Sequence, residues 1–422
     1  MADRADGTTA NLLAAAVALP ATRVSGRRSR RCAVHQDQDA VTLAAEAVSK
    51  LIAQTEASPR ALLFATTTPP YEEGGSAQPI VELAGLDSDL FVCDLTATVR
   101  DGLAAVRLAA GLVAAGTDPV VVVASNLRRD GADGDSGDGA VALLIGAEDG
   151  LARLAPATAH AEELRDRWRL PGEFEPREAD SSFLAHAGPE RLVPLALDEG
   201  TAAAVYAPQP RFAAKAERAL GGAGDPASAH TGLLGAAHPL LRLLLGLAEP
   251  GTTVATTGGL VEVLRHEPTG DAGALVEAVR AEVEGGEDVG VEPRRPGIVG
   301  TDIWSSAPRA WRERGQDLRL EGVEVGGRKV YPPPAAVGEA ADGTPFRLSR
   351  QGTVLTRTVD RVYPLAEATG MAMVDLDDGV RFYCQVAEGQ EVEIGQRVEL
   401  VPRRLHSGGG IVQYFWKAAP CR

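Results

Sequence analysis

The side chains of this sequence best suited to chemistry are four cysteines, two histidines on one segment and one arginine cluster. Cys32, Cys93, Cys384 and Cys421 are far apart and form no CxxC pair, so neither a zinc ribbon nor a disulfide framework is written here. A cysteine nucleophile acts as a thiolate, which a helix N-terminus favours. Cys93 sits instead within Leu90-Phe91-Val92-Cys93, where a small apolar core residue is expected. His230 and His238 would share one face of a helix, but no acidic or cysteine ligand stands at metal spacing beside them. They read as a polar pocket residue and a packed histidine, and no metal site is expected. Gly137-Asp138-Gly139 lacks the lysine and the spacing of a phosphate loop and reads as a structural turn. Arg27-Arg28-Ser29-Arg30-Arg31 is either a solvated loop or a phosphate contact.

The chain that must position these groups has 422 residues, 45% of them apolar, enough for two or three domains. Lys+Arg 42 against Asp+Glu 58 leaves a net charge of -16, which opposes a polyanionic backbone, so nucleic acid is not an expected partner. The apolar run Leu12 to Leu19 follows Asp3 and Asp6 rather than a cationic stretch and reads as a first strand, not a signal peptide. Gly, Pro or charge interrupts every run before the ~18 apolar residues a membrane span needs. A soluble, cytoplasmic protein is expected.

Short β-type runs alternate with Ala/Leu-rich helical runs to about residue 285, which predicts a layered α/β domain. Thr42–Ala53 is a helix, Ala61–Thr67 a strand, and the helix Gly102–Ala115 leads to the strand Pro119–Ser125. The order helix, glycine, strand recurs from Gly232 to Thr256, which predicts a duplicated unit. Glycine, proline and charge from Gly285 to Gly300 mark a linker, and Tyr331 to Thr344 a second such stretch. Beyond it, Gly352–Val362, Met371–Leu376, Val380–Val386, Val392–Val401 and Ile411–Trp416 predict a small five-stranded barrel of OB type. The expected domains are residues 1–155 and 156–300, the two halves of the α/β unit, and 301–422, the OB domain with a helical or linker lead. Trp304, Trp311 and Trp416 are expected as packing anchors.

Asp94-Leu95-Thr96-Ala97-Thr98-Val99-Arg100-Asp101-Gly102-Leu103, its Ala-rich helix and its Val-rich strand resemble the nucleophile segment of thiolase-superfamily condensing enzymes, ketoacyl synthase III among them. Gly137-Asp138-Gly139-Ala140 is similar to a segment those enzymes carry after that strand. Asp37-Gln38-Asp39-Ala40-Val41-Thr42-Leu43-Ala44 resembles a run of 3-hydroxy-3-methylglutaryl-CoA (HMG-CoA) synthases, and His230-Thr231-Gly232 with Thr257-Gly258-Gly259 resembles their asparagine loop and glycine turn. From about Trp304 the chain resembles the acyl-CoA-associated OB-fold proteins that accompany thiolases, through Tyr331-Pro332-Pro333, Gly352-Thr353-Val354 and Asp377-Asp378-Gly379. Those proteins usually hold a zinc ribbon beside the Tyr-Pro-Pro run; Val323 to Gly327 and Ala335 to Ala341 supply no cysteine, so no structural zinc is expected.

The resemblance implies a duplicated thiolase-like α/β/α/β/α fold followed by an OB-like barrel, and a site in which four chemical groups are replaced. Val99 stands at the nucleophile, Pro208 at the histidine acid/base, Thr67 at the catalytic glutamate and His230 at the asparagine. Arg100 and Asp101 are candidates to line the old cavity or to form a salt-bridged helix start. Arg28, Arg30 and Arg31 are candidate contacts for coenzyme A or acyl-CoA, the only ligand implied. The expected function is a non-catalytic scaffold for a thiolase-like catalytic partner, in a dimer or hetero-oligomer. The rival expectation is a repurposed enzyme that acts on an acyl thioester with His230 as base.

Overall fold

The computed structural model describes residues 8–26, 29–127, 134–290, 293, 306–334, 343–362, 368–408 and 410–421. Arg28, Trp304 and the run 335–341 lie outside the described residues. The first half runs β1 (Ala10–Ala18), a hairpin of β2 (Thr22–Ser25) and β3 (Arg30–Cys32), α1 (Ala40–Ile52), β4 (Ala61–Ala65), α2 (Ala77–Ala84), β5 (Phe91–Leu95), α3 (Asp101–Ala114), β6 (Val120–Asn126) and β7 (Gly139–Gly146). The second half runs β8 (Ala152–Ala161), a separate hairpin of β9 (Arg167–Trp168) and β10 (Arg177–Glu178), α4 (Ser181–Ala187), α5 (Pro189–Leu195), β11 (Ala204–Tyr206), α6 (Pro210–Ala219), α7 (Ser228–Thr231), α8 (His238–Leu245), β12 (Gly251–Thr257), β13 (Leu260–Pro268) and α9 (Gly273–Glu284). β8 carries the chain across residue 155, and β14 (Glu287–Asp288) pairs with β2, so the start of the expected linker is part of the fold.

The duplication is visible in the strand order. The first half reads β5-β4-β6-β7-β1, with β4 parallel to β5 and β6 and β7 antiparallel to its neighbours. The second half reads β11-β12-β13-β8 with the same sense of pairing, but has no counterpart of the edge strand β5 among the described residues. Antiparallel pairing of Ala10–Leu12 with Leu154–Ala152 joins the halves. The apolar strands β4, β6 and β7 are buried on both faces, as strands between two helical layers must be. α1 and α2 cover one outer face, α5 and α6 the other, and α3 and α8 lie between the halves, giving five layers.

One expected helix is interrupted. Residues Gly232–Gly246 do not form a continuous helix; Gly232 (φ 70°) and Gly235 (φ 53°) adopt left-handed backbone conformations, and α8 begins only at His238 with Pro239 in its first turn. The break brings backbone against α3: a Cβ on Gly102 would lie 2.0 Å from the carbonyl oxygen of Ala236. Gly102→Ala must therefore part α3 from the 235–237 turn, and a loss of about 1–3 kcal/mol in thermal or denaturant unfolding is the expected result.

The second domain opens with α10 (Ala307–Arg319), a three-stranded sheet of β15 (Glu321–Val325), β16 (Arg328–Val330) and β17 (Thr344–Arg347), then β18 (Gln351–Asp360), β19 (Thr369–Leu376), β20 (Arg381–Gln385), β21 (Arg397–Gly408) and β22 (Ile411–Pro420). The last five form one sheet in the order β20-β19-β18-β21-β22. The Val386–Ala418 bridge and the Ala387 N–H to Ala418 carbonyl bond bring its ends together, nearly closing the expected barrel. The fourth strand starts at Arg397 rather than Val392, because Gly395 (φ 84°) turns the chain there. Trp416 is fully buried and donates through its indole N–H to the Leu318 carbonyl at 3.0 Å, an anchor as expected. Trp311 is not: α10 buries none of its residues, and Trp311 is 67% exposed beneath the guanidinium of Arg314.

The barrel docks on the N-terminus of α1. Asp39 caps that helix reciprocally with Thr42 and receives the Tyr414 hydroxyl at 2.9 Å. Asp37 receives the Glu388 N–H at 3.0 Å and pairs with Lys417 at 3.1 Å and Arg403 at 4.0 Å. Burial is the largest influence on both carboxyls and pushes them up. Lys417 and Arg403 overcome it and hold Asp37 below the usual carboxylate range, whereas Asp39 stays raised.

Candidate functional site

Two cavities stand near the residues of interest. The larger, about 810 Å³, lies where the barrel meets the first domain and is walled by Asp37, Arg357, Met371, Glu388, Arg404 and Lys417 among others. The smaller, about 240 Å³, opens at the N-terminus of α3. Three of the four positions singled out in the sequence meet in the smaller one: Thr67 from the turn after β4, Val99 from the turn before α3, and Pro208 from the turn after β11.

His230 is not part of that wall. It sits in the single turn of α7, half-buried, with Nδ1 buried and without a hydrogen-bond partner. The left-handed residues Gly232 and Gly235 carry the chain so that Leu233 and Gly235, rather than His230, face the cavity. His238 is the packed histidine. It is fully buried, its ring lies 5.0 Å from that of Tyr206, Nδ1 accepts from the Leu234 N–H, and Nε2 is 2.7 Å from Asp225. Burial would raise the Asp225 carboxyl, but His238 and Arg242 hold it well below the usual range.

Arg100 and Asp101 fasten the helix start instead of lining the cavity. Asp101 accepts from the N–H groups of Ala97 (2.9 Å) and Thr98 (2.7 Å) and from the Thr98 hydroxyl (2.8 Å). Arg100 pairs with Asp101 at 3.6 Å and with Glu262 of β13 at 3.2 Å, where Arg107 joins at 2.6 Å. Burial is the main influence on Glu262 and leaves its carboxyl raised despite both guanidiniums. The cluster ties α3 to the second half of the sheet.

Asn126, at the end of β6, is the residue that sequence reasoning missed. Its Oδ1 accepts from the N–H groups of Thr67 (3.2 Å) and Ala236 (3.1 Å), and its Nδ2 donates to the Thr67 hydroxyl at 2.6 Å. It therefore joins three separate walls of the cavity. The signal available was a lone amide ending a buried valine-rich strand beside a loop.

The β9–β10 hairpin covers the mouth with Arg167, Trp168 and Arg169. Arg169 donates to the Thr67 carbonyl at 3.1 Å, and the Gly172 N–H to Glu72 at 2.9 Å. The other expected contacts lie elsewhere. Arg30 pairs with Asp288 at 2.8 Å, and Arg31 is fully buried, which removes it from the solvated surface expected for it. Gly137-Asp138-Gly139 is the expected structural turn: Asp138 accepts the Val34 N–H at 2.7 Å, and a Cβ on Gly137 would strike the Thr231 carbonyl. Cys93 is half-buried on the edge strand β5 and outside the cavity wall, while burial pushes the Cys384 thiol up to about 12. No group of three or more metal-ligating side chains occurs among the described residues, and no helix there is long and apolar enough to cross a membrane.

Residues 347–403 match the family model of the ChsH2 C-terminal OB-fold domain. The HMG-CoA synthase of Pyrobaculum neutrophilum is 29% identical over 147 residues, 32% of this chain and 41% of that protein, so the chain spans about two-fifths of the length of the curated relative it matches. Among solved structures, MvaS in complex with 3-hydroxy-3-methylglutaryl coenzyme A superposes with a TM-score of 0.55 at 20% identity, covering 72% of this chain and 95% of that one. PksG, an HMG-CoA synthase from Bacillus subtilis, gives 0.58 at 14% identity, covering 89% and 99%. With the strand order and the barrel above, these likenesses give the chain a thiolase-like fold similar to that of HMG-CoA synthases, followed by a C-terminal OB-fold domain that matches the ChsH2 type.

Proposed function

We propose that this chain is a non-catalytic subunit of an acyl-CoA-dependent acyltransferase or thiolase-type assembly, stabilising a thiolase-like catalytic partner. The observation that carries this reading is the cavity wall: Thr67, Val99 and Pro208 occupy it, and among the described residues its lining contains no cysteine, histidine or carboxylate. Acyl transfer through a covalent intermediate needs an activated nucleophile with a base within hydrogen-bond reach. Threonine, valine and proline provide neither. The edge of β5, hydrogen-bonded on one side only among the described residues and carrying the exposed Phe91, supports a partner chain adding a strand there. The rival enzymatic reading relied on His230, which lies outside the wall.

The test is mass spectrometry of the chain co-expressed with the thiolase-like protein encoded nearest to it, with and without acyl-CoA. The expected result is a hetero-oligomer whose acyl adduct maps to the partner's cysteine. A stable adduct or turnover on the isolated chain would overturn the proposal. Val99→Cys is expected to remain unacylated, because a thiol alone at the start of α3 still lacks a base in the wall; formation of an acyl-cysteine there would show that the remaining cavity supports the chemistry.

A further inference from the structure

We propose that the 240 Å³ cavity is a receptor for a small aliphatic carboxylate, held by Arg167 and Arg169. The inference rests on the reading of the same cavity as non-catalytic and adds the ligand it takes.

The first argument is charge. In a chain of net charge -16, the cavity lining among the described residues contains two arginines and no aspartate or glutamate. Two carboxylates near wall residues in the sequence are already answered. Asp101 is saturated by the 97–98 N–H groups, the Thr98 hydroxyl and Arg100. Asp166 is buried and accepts the Thr257 hydroxyl at 3.2 Å. Both guanidiniums retain donor capacity. Among the described residues Arg167 has only a 3.9 Å contact with the half-exposed Glu178, and Arg169 gives one of its five N–H donors to the Thr67 carbonyl. A planar guanidinium matches a carboxylate bidentately, which a thioester carbonyl cannot reproduce.

The second argument is the rest of the wall. Val99, Pro208, Leu233 and Trp168 offer apolar surface to an aliphatic body. The hydroxyls of Thr67, Thr98 and Thr257 are engaged with Asn126, Asp101 and Asp166, and the arginines are the charged groups among the described lining residues. The volume lies below the ~300–1,000 Å³ of sites for drug-sized ligands, so the ligand is short and a whole coenzyme A does not fit inside.

Isothermal titration of the full chain with hexanoate, hexanamide and 4′-phosphopantetheine tests this. Saturable binding of hexanoate is expected, with hexanamide weaker by at least about tenfold because it leaves the guanidiniums without an anion. Arg167→Gln and Arg169→Gln, on a hairpin outside the main sheet, should keep the circular dichroism spectrum and each lose hexanoate affinity. Equal binding of acid and amide, unchanged affinity in the double variant, preference for phosphopantetheine, or no saturable heat with hexanoate would each overturn the proposal. An acyl adduct on the chain would remove the non-catalytic reading while leaving hexanoate affinity intact, so the two failures are distinguishable.

Discussion

Lys417→Met should loosen the OB domain from the thiolase-like domain and cost about 3–5 kcal/mol, the range for removing one partner of a buried ion pair. Lys417 and Asp37 are almost fully buried at 3.1 Å, and the Asp37 oxygen that loses the ammonium keeps only the Glu388 N–H. Arg403, 4.0 Å from the other oxygen, still compensates part of the charge, which places the effect toward the lower end. Methionine keeps the volume of the lysine stem, so the loss reports charge rather than packing. Thermal unfolding and limited proteolysis at the domain junction would read it. Adding Asp37→Leu should restore part of the stability, since an apolar pair replaces a stranded carboxylate. If single and double variants unfold alike, the ion pair does not hold the domains.

The same pair sets a pH dependence. Asp37 is held below its ordinary value when folded, so its contribution is complete above the usual carboxylate range and is lost as the pH falls through the lowered value. Asp39, raised by burial, has the opposite sign: protonation begins to favour the docked state at higher pH than in the unfolded chain. The parent should therefore lose docking only in strong acid, and Asp39→Asn, which retains a side-chain oxygen to cap α1, should flatten the opposing limb.

The layers of the fold were legible because β1, β4 and β6 are runs long and apolar enough to be read and α1 and α3 are Ala/Leu-rich, whereas short or polar strands such as β3, β9, β10 and β14 carry no such signal. The barrel was legible from its turns, as at Gly379 (φ 86°), where the expected Asp377-Asp378-Gly379 hairpin forms. What escaped depends on contacts distant in sequence. Asp37 belongs to a run that reads as a family resemblance, yet its partner is Lys417 in the last strand, and nothing near Asp37 signals a second domain. Arg31 and Trp311 escaped for opposite reasons. A cationic cluster reads as solvated, but Arg31 is drawn inward on the β2–β3 hairpin, and a tryptophan reads as core, but Trp311 lies in the exposed first half of α10, which packs on the core only later, at Leu318. At the site, Thr67, Val99 and Pro208 converge because each follows or precedes a regular element whose end is defined. His230 does not join them, because two left-handed glycines redirect the segment that follows it, and spacing alone cannot show that.

Asn126→Leu should be the most damaging single change at the cavity. Leucine has nearly the same shape but no acceptor, so the buried N–H of Ala236 loses its partner at about 1–3 kcal/mol, and the part-buried N–H of Thr67 loses its own at a smaller cost. The turn after β4 and the 235–237 turn are then no longer tied to the end of β6. The Thr67 carbonyl that receives Arg169 moves with its turn, so hexanoate affinity should fall together with stability. Asn126→Asp separates the two contributions. Its carboxylate keeps an acceptor for both N–H groups, and the Thr67 hydroxyl can reverse to donate, so most of the stability should return. The added negative charge beside Arg169 should still weaken hexanoate binding. Comparison of the two variants in denaturant unfolding and titration calorimetry checks this: stability recovered without affinity means that Asn126 supports the wall through hydrogen bonds while the guanidiniums bind the anion. Equal stability losses in Asp and Leu variants would show that the position matters only through packing.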